Sequence, residues 1–210
     1  IADEDRQLSA RELEKMFLNR AKGDSRWETE LSDRKLSAVD TATIRQLVKK
    51  GRSVGRIDFA FVSVKGVLNK LKLLRNSRLL KAGEVLFCED NPLQVQAAVF
   101  AGTDKSTFLD IKKFAGTIFG LLDKTETYIN EHMDLRVKFG KLEREEIPEL
   151  PAAALREALV NSLCHRDYRI LKGNEVAIFK DRIEIYNPGD FPEGYTPEDF
   201  IKGEEHSITR

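Results

Sequence analysis

The chain has 210 residues, enough for one large domain or two small ones, and its 35 basic and 35 acidic residues cancel to zero net charge. That balance excludes steering of a polyanion by the whole molecule and leaves only a local basic patch open. Two cysteines, Cys88 and Cys164, are too few and too isolated for a disulfide framework or a thiolate metal site, and no apolar run reaches membrane-spanning length.

The start, "IADEDRQLSARELEKMF", is acidic and polar rather than signal-like, so a cytoplasmic protein with no membrane partner is expected. With no initiator Met and an end at "GEEHSITR", the chain reads as a piece of a longer polypeptide. Ser9 can cap a first helix, with Glu12 completing a capping box and Leu13, Met16 and Phe17 on one face. Asp40 is placed to cap a second helix through Val48, ended by Gly51. A basic loop, "GRSVGRID" at 51–58, precedes a third helix predicted over Val64 to Leu74. "GEVLFCED" and "LQVQAAVFAG" read as two short strands around an Asn91-Pro92 turn. Asp110 is expected to open a long helix lined by Phe114, Ile118, Leu121, Leu122 and Ile129, running to about Met133.

Leu135, Val137 and Phe139 alternate as in a half-buried strand, and Pro148 and Pro151 set up the start of another helix. "EVAIFK" and "RIEIYN" then read as strands joined by a tight Lys180-Asp181 turn. Thr196 is positioned to cap a short helix in the Pro/Gly-rich tail. There is no internal repeat and no low-complexity tract. The expected class is α+β: a helical lead-in over 1–75, then a mixed sheet with packed helices over 76–210.

The densest chemistry lies in "LREALVNSLCHRDY", residues 155–168. Glu157 and Asn161 are four apart and so share one face of a helix, and His165 continues the row. A carboxylate can orient or deprotonate a water, and a carboxamide oxygen is a hard ligand for magnesium. A strand pair then leads to "YNPGDF", where Gly189 would let backbone approach a planar ligand closely. On spacing alone, a solvated helix face is the commoner outcome for such a pair.

The order of features carries more. Glu-x-x-x-Asn on a helix, a hairpin and a glycine-containing turn resemble the start of the GHKL ATPase (Bergerat-type) fold of gyrase B and the histidine kinases. Over roughly 64–203 the chain resembles a narrower group, bacterial and archaeal proteins labelled transcriptional regulators or RecG-like ATP-dependent helicases. In these an AlbA-like (Schlafen-type) module precedes a divergent GHKL-like domain. The resembling segments are "LLKAGEVLFCED", "AGTDKSTFLD", "FAGTIFGLLD", "EIPELPAAALREALVNSLCHRDY" and "DRIEIYNPGDFPEGYTPEDF".

The resemblance implies a partial GHKL-like domain with ATP and magnesium as cofactors of the intact protein. It gives Glu157 the place of the general base, Asn161 that of the magnesium ligand and Asn187 that of the adenine-reading Asp. His165 and Gly189 border the same implied site. The chain departs from the pattern at Asn187, which can accept but carries no charge, at Pro188, and in lacking the second glycine of the turn. The lid and later phosphate-binding strands would lie beyond Arg210 and the AlbA-like module before Ile1. Magnesium-ATP is therefore expected to bind this piece weakly or not at all.

Other signals are set aside. "HRD" at 165–167 lacks the later kinase motifs, so Arg166 and Asp167 are expected to tie down a helix end, with Tyr168 packing on the next strand. His132 and His165 have no partners at metal-ligand spacing, and neighbouring Cys164 and His165 point about 100° apart on a helix. No P-loop pattern is present, so a RecA-type motor is excluded from this stretch.

A second class of function rests on "DTATIRQLVKKG", the basic loop and "VKGVLNKLKLLRNSRLLKAG", which read as a helix-turn-helix with a following wing. Lys65, Lys70, Lys72, Arg75 and Arg78 would line or border the third helix and suit phosphate contacts on DNA. Val67, Leu68, Leu71 and Leu74 explain the same pattern as a core helix with a solvated face. The functional expectation is a regulator of transcription or DNA metabolism whose intact form binds ATP, with DNA and a further copy of itself as partners. The alternative is a non-enzymatic scaffold that keeps the fold for DNA or partner binding.

Overall fold

The structure, a computed structural model, describes residues 26–133, 135–139, 144–148 and 150–189. These fall into two compact units that divide between Glu84 and Val85. The helix expected at Ser9 and the cap expected at Thr196 lie outside the described residues.

In the first unit, short 3-10 turns at Trp27–Thr29 and Leu36–Ala38 lead to helix α1, Thr41–Ser53. Asp40 caps it, its carboxylate accepting from Ala42 N at 2.9 Å and Thr43 N at 3.1 Å. The Thr43 hydroxyl donates to it as well, and that bond chiefly holds the carboxyl below its usual range. The helix buries Ile44 and Val48, one turn apart, but it does not end at Gly51. Gly51 lies one turn further along the same stripe, and a Cβ there would sit 2.5 Å from Ile57 Cδ1. Its missing side chain makes room for Ile57. The stop comes at Gly55 (φ 70°), where Gly55 N donates to Arg52 O and Arg56 N to Gly51 O, the paired bonds of a Schellman end.

Ser63 caps α2, Val64–Lys70, by accepting from Gly66 N at 3.1 Å. The extension expected to Leu74 does not occur. Lys72 turns left-handed (φ 58°), with its N–H on Asn69 O and the Leu73 N–H on Leu68 O. The same end motif is thus built on a lysine that no propensity singles out. Leu74–Arg75 (β1) and Arg78–Leu79 (β2) then form a hairpin whose two turn residues, Asn76 and Ser77, both have positive φ.

Lys81–Phe87 is a helix, α3, where "GEVLFCED" was expected to hold a strand. So short an apolar run does not distinguish the two periods. The Glu84 N–H bonds to Leu80 O, and Gly83 lets Leu79 lie against the helix, a Cβ there being 2.6 Å from Leu79 Cδ1. Val67, Leu68, Leu79 and Leu80 are buried with Ile44 and Val48 as the core of this unit.

In the second unit, buried Asn91 makes the corner before the sheet. Its amide donates to Cys88 O at 2.6 Å and Gly116 O at 2.9 Å, and its Oδ1 accepts from Leu93 N at 2.8 Å. The strand that follows, β3 (Gln94–Phe100), is the expected one, and it pairs antiparallel with β4, Phe108–Ala115. Here another expectation fails, because the long helix, α4, is Ile118–His132 and does not begin at Asp110. Phe114 shares helical spacing with Ile118 and Leu121, yet it stands opposite Val95 in the sheet. Gly116 (φ 131°) turns the chain, and Thr117 caps the helix by accepting from Gly120 N at 3.1 Å. Tyr128 of α4 meets Phe114 edge-on at 5.7 Å and donates to Asp110 at 2.8 Å.

Backbone strands β5 (Leu135–Phe139) and β6 (Arg144–Pro148) pair antiparallel as a separate sheet. The burial expected of Leu135, Val137 and Phe139 lies outside the described residues. Helix α5, Ala152–Cys164, is followed by the expected strands β7, Asn174–Ile178, and β8, Ile183–Tyr186. The main sheet runs β4-β3-β7-β8, with β3 and β7 parallel and the other pairs antiparallel. This mixed sheet with helices makes the fold α+β. Helix α4 packs on α5, β3 and β4, while Ala98, Phe100, Ala177 and Phe179 form a buried cluster in which Phe100 stacks on Phe179 at 4.9 Å.

Replacing Asn91 by Ala strands two carbonyls and one N–H in a buried corner, and should cost about 2–4 kcal/mol. Urea unfolding should show a lower midpoint at unchanged slope. A loss below about 1 kcal/mol would mean that water replaces the amide.

Candidate functional site

Helix α5 begins after Pro151, whose carbonyl accepts from Leu155 N at 3.1 Å. Leu155, Leu159, Ser162 and Leu163 form its buried stripe, and Glu157, Asn161 and His165 stand exposed along another. Among the described residues, neither the Glu157 carboxylate nor the Asn161 carboxamide has a hydrogen-bond or ion-pair partner. The adjacent basic residue is used elsewhere: Arg156 pairs with Glu126 and, at 3.7 Å, with Asp123, which ties α5 to α4. Glu157, Asn161 and His165 span two turns, about 12 Å of axial rise.

The helix closes at His165, whose N–H bonds to Asn161 O at 2.9 Å. The next residues organise the region. Arg166 is buried, its guanidinium donating to Asn174 Oδ1 at 2.8 Å, Ile170 O at 2.7 Å and Lys172 O at 2.8 Å. Asn174, only 1% exposed, donates in turn to Ser162 O at 2.9 Å and Ser162 Oγ at 2.7 Å. Burial pulls Arg166 below its ordinary value, yet a guanidinium stays charged. The Tyr168 hydroxyl donates to Leu163 O at 2.6 Å, and its ring lies 5.3 Å from the Arg166 guanidinium. Burial pushes the phenol up to about 12. Arg166 ties down the helix end as expected, through Asn174 and Ser162, whereas Tyr168, expected to pack on the next strand, bonds back to the last turn of α5. The roles of Ser162 and Asn174 were not foreseen, since nothing in their neighbourhood marks a short polar residue as a buried anchor.

Asp167 joins this end to the turn after β8. Its N–H donates to Pro188 O at 2.7 Å. Gly189 has φ 143°, and a Cβ there would lie 3.2 Å from Asp167 N. The close approach that Gly189 permits is therefore to the backbone of Asp167. Asn187, two residues before it, is exposed. The structure thus brings the His165 end of the polar row beside the Asn187–Gly189 turn, with Asn161 and Glu157 one and two turns further back.

No group of three or more His, Cys, Asp or Glu that could hold a metal occurs among the described residues. Cys88 is buried and Cys164 exposed, both free. A cavity of about 640 Å³ opens at the other end of the β7–β8 hairpin, lined in part by Phe100, Phe179, Lys180 and Arg182, away from the Asn187 turn. No described helix is long and apolar enough to cross a membrane.

Of the five basic residues expected to line or border the third helix, Lys65 and Lys70 lie on α2 and Lys72 on its left-handed end. Arg75 and Arg78 lie opposite each other in the hairpin. Lys70 stacks over Phe59 at 4.5 Å, and Arg75 donates to Thr29 O.

Fold and turn together define an α+β domain in which a helix, a hairpin and a glycine-containing turn follow in order. Residues 172–210 match the family described as "Putative ATP-dependent DNA helicase recG C-terminal". Over that segment the relation is to a RecG-like, GHKL-related ATPase family, and its described part is the β7–β8 hairpin and the turn. Among solved structures, the chain is similar to the DIP2311 protein from Corynebacterium diphtheriae, with a TM-score of 0.69 at 21% identity. That match covers 89% of this chain and 38% of the other, so the chain spans well under half of that protein, and the likeness is one of fold. No curated protein matches the chain.

Tyr168 supplies a pH test. Its hydroxyl is ordinarily lost near pH 10 and is held to about 12 in the fold, so its contribution is complete below pH 10 and disappears as pH rises through 12. Wild-type protein should be more stable than Tyr168→Phe at pH 8, with the gap closing between pH 10 and 12. A gap that stays constant across that window would show that the hydroxyl is not buried against Leu163.

Proposed function

We propose that the second unit is the opening part of a divergent GHKL-like ATP-binding domain in a regulator of transcription or DNA metabolism. One observation carries this reading: among the described residues, Glu157 and Asn161 stand exposed without partners on one face of α5, on the helix whose end is bonded to the Asn187–Gly189 turn. Side chains retained for structure are normally consumed by a neighbour, and here Arg156 turns away to Glu126 and Asp123. The family match over residues 172–210 supports the ATPase-type assignment.

In this reading Glu157 takes a proton from the attacking water. Asn161 Oδ1 is one hard oxygen ligand for magnesium, the nucleotide phosphates and water supplying the rest. Asn187 Oδ1 accepts from the adenine amine, and His165 borders the site. Magnesium would supply charge neutralisation at the phosphates; every other role falls to these side chains.

A second reading, a scaffold that keeps the fold without turnover, draws on the turn itself. Asn187 and Pro188 stand where the GHKL pattern has Asp and a free N–H, and Gly189 is already used in packing on Asp167.

The two readings separate in the full-length protein that carries this chain. Glu157→Ala should lower ATP turnover by about 10²- to 10⁴-fold with nucleotide binding retained, and Asn161→Ala should weaken binding only when magnesium is present. Wild-type turnover in Glu157→Ala would remove this carboxylate as the base. Absence of nucleotide binding in the wild-type protein would favour the scaffold.

A further inference from the structure

The neutrality of the whole chain conceals a segregation of charge. Between Thr41 and Leu80, ten residues are Lys or Arg and one, Asp58, is acidic, which leaves +9 (10 − 1) there and −9 (25 − 34) over the rest of a chain with 35 basic and 35 acidic residues. This stretch holds α1, α2 and the β1–β2 hairpin, all within the first unit.

The helices bury their apolar stripes inward at Ile44, Val48, Val67 and Leu68, so the charge lies outside. On α1, Arg45, Lys49 and Arg52 are exposed at spacings of four and three and form one stripe. Lys65 is exposed on α2 and Lys72 just past its end. In the hairpin Arg75 and Arg78 are directly opposite, a like-charge pairing that costs stability unless an anion sits against it. Among the described residues, Lys65, Lys72 and Arg78 make no ion pair. Two of the other cations are held in place by aromatic rings of the intervening loop, Arg45 over Phe61 at 4.1 Å and Lys70 over Phe59 at 4.5 Å.

We infer that the basic surface of α2 and the β1–β2 hairpin binds duplex DNA, with α2 entering the major groove and the hairpin tip lying along the adjacent backbone. The inference gives the DNA-facing half of the proposed function a surface and rests on it only for context, since no part of the nucleotide site takes part. A short helix fits a groove about 12 Å wide, whereas the deep, narrow major groove of duplex RNA does not admit it. The loop of ten residues between α1 and α2 is longer than the turn of about three or four residues in a helix-turn-helix, so the arrangement is a looser relative of that motif. Lys65, Lys72 and Arg78 are the best-placed groups to meet phosphates; Lys70 and Arg75 already have partners within the fold.

The test is fluorescence anisotropy of a labelled duplex of about 24 base pairs with the whole chain, without nucleotide, over a salt series. Binding should weaken steeply as salt rises. The triple variant Lys65→Gln, Lys72→Gln, Arg78→Gln should bind at least about tenfold more weakly and flatten the log–log salt slope by about 2 to 3, since each phosphate that a cation neutralises adds roughly 0.9 to that slope. All three positions are exposed, and an unchanged circular dichroism spectrum would establish that the variant is folded. An unchanged slope, or no binding by wild type at low salt, overturns the inference. Equal or tighter binding to duplex RNA overturns the assignment to DNA. Because nucleotide is absent throughout, failure of the ATP-binding reading leaves this result untouched.

Discussion

A buried guanidinium is costly unless its donors are met, and the second unit is arranged around Arg166, whose two terminal nitrogens are bonded while its Nε has no partner among the described residues. Its donors reach Asn174, Ile170 and Lys172, and Asn174 passes the connection on to Ser162. Three pieces of chain are pinned by one network: the last turn of α5, the loop that follows it and the first residue of β7. Removing one member would leave the others with uncompensated polar atoms in a water-poor interior, where each costs about 1–3 kcal/mol. Everything downstream inherits this geometry. β7 sets β8, β8 ends at the Asn187 turn, and that turn returns to Asp167, one residue beyond Arg166. The polar row on α5 and the turn owe their common end to this closed path.

Much of the fold could be read from residue order, and the failures share a cause. Asp40 caps α1 because a carboxylate at that position has free N–H groups to accept from, a local matter. The β7–β8 hairpin was equally local, with two alternating runs around Lys180-Asp181. By contrast, Phe114 could join a helix with Ile118 and Leu121 or a strand opposite Val95, and only pairing with β3 decides between them. Lys72 ends α2 in a left-handed conformation that a lysine adopts only under tertiary compulsion. "GEVLF" is too short for its period to speak, and Glu84 settles into a helix through its bond to Leu80.

The site divides the same way. Glu157 and Asn161 stand out in sequence because i and i+4 on a helix are neighbours whatever surrounds them. What they face depends on contacts that spacing cannot report, such as the departure of Arg156 toward α4. Gly189 was legible as a place for close approach, but its partner, the backbone of Asp167, lies 22 positions earlier (189 − 167) and could not be named from the turn alone. Charge was the least legible feature. A net value of zero says nothing about where the signs fall; the cations between Thr41 and Leu80 are visible in the sequence, but which of them have partners within the fold is not.

The parallel pairing of β3 with β7 has a consequence in time. Val95 stands opposite Asn174, 79 positions later (174 − 95), whereas β3 and β4 are joined by a short loop. During synthesis the β3–β4 hairpin and α4 can therefore form early, while the inner edge of β3 waits for a strand that has not yet left the ribosome. That edge belongs to "QVQAAVF", a strand with no charged residue, which is the kind of segment that recruits a foreign strand when left unpaired. Pairing β3 with β7 is a contact of high sequence separation, which is formed at a greater entropic cost than the local β3–β4 pairing. The interval between the emergence of Phe100 and that of Asn174 is when this domain is most exposed to misassembly.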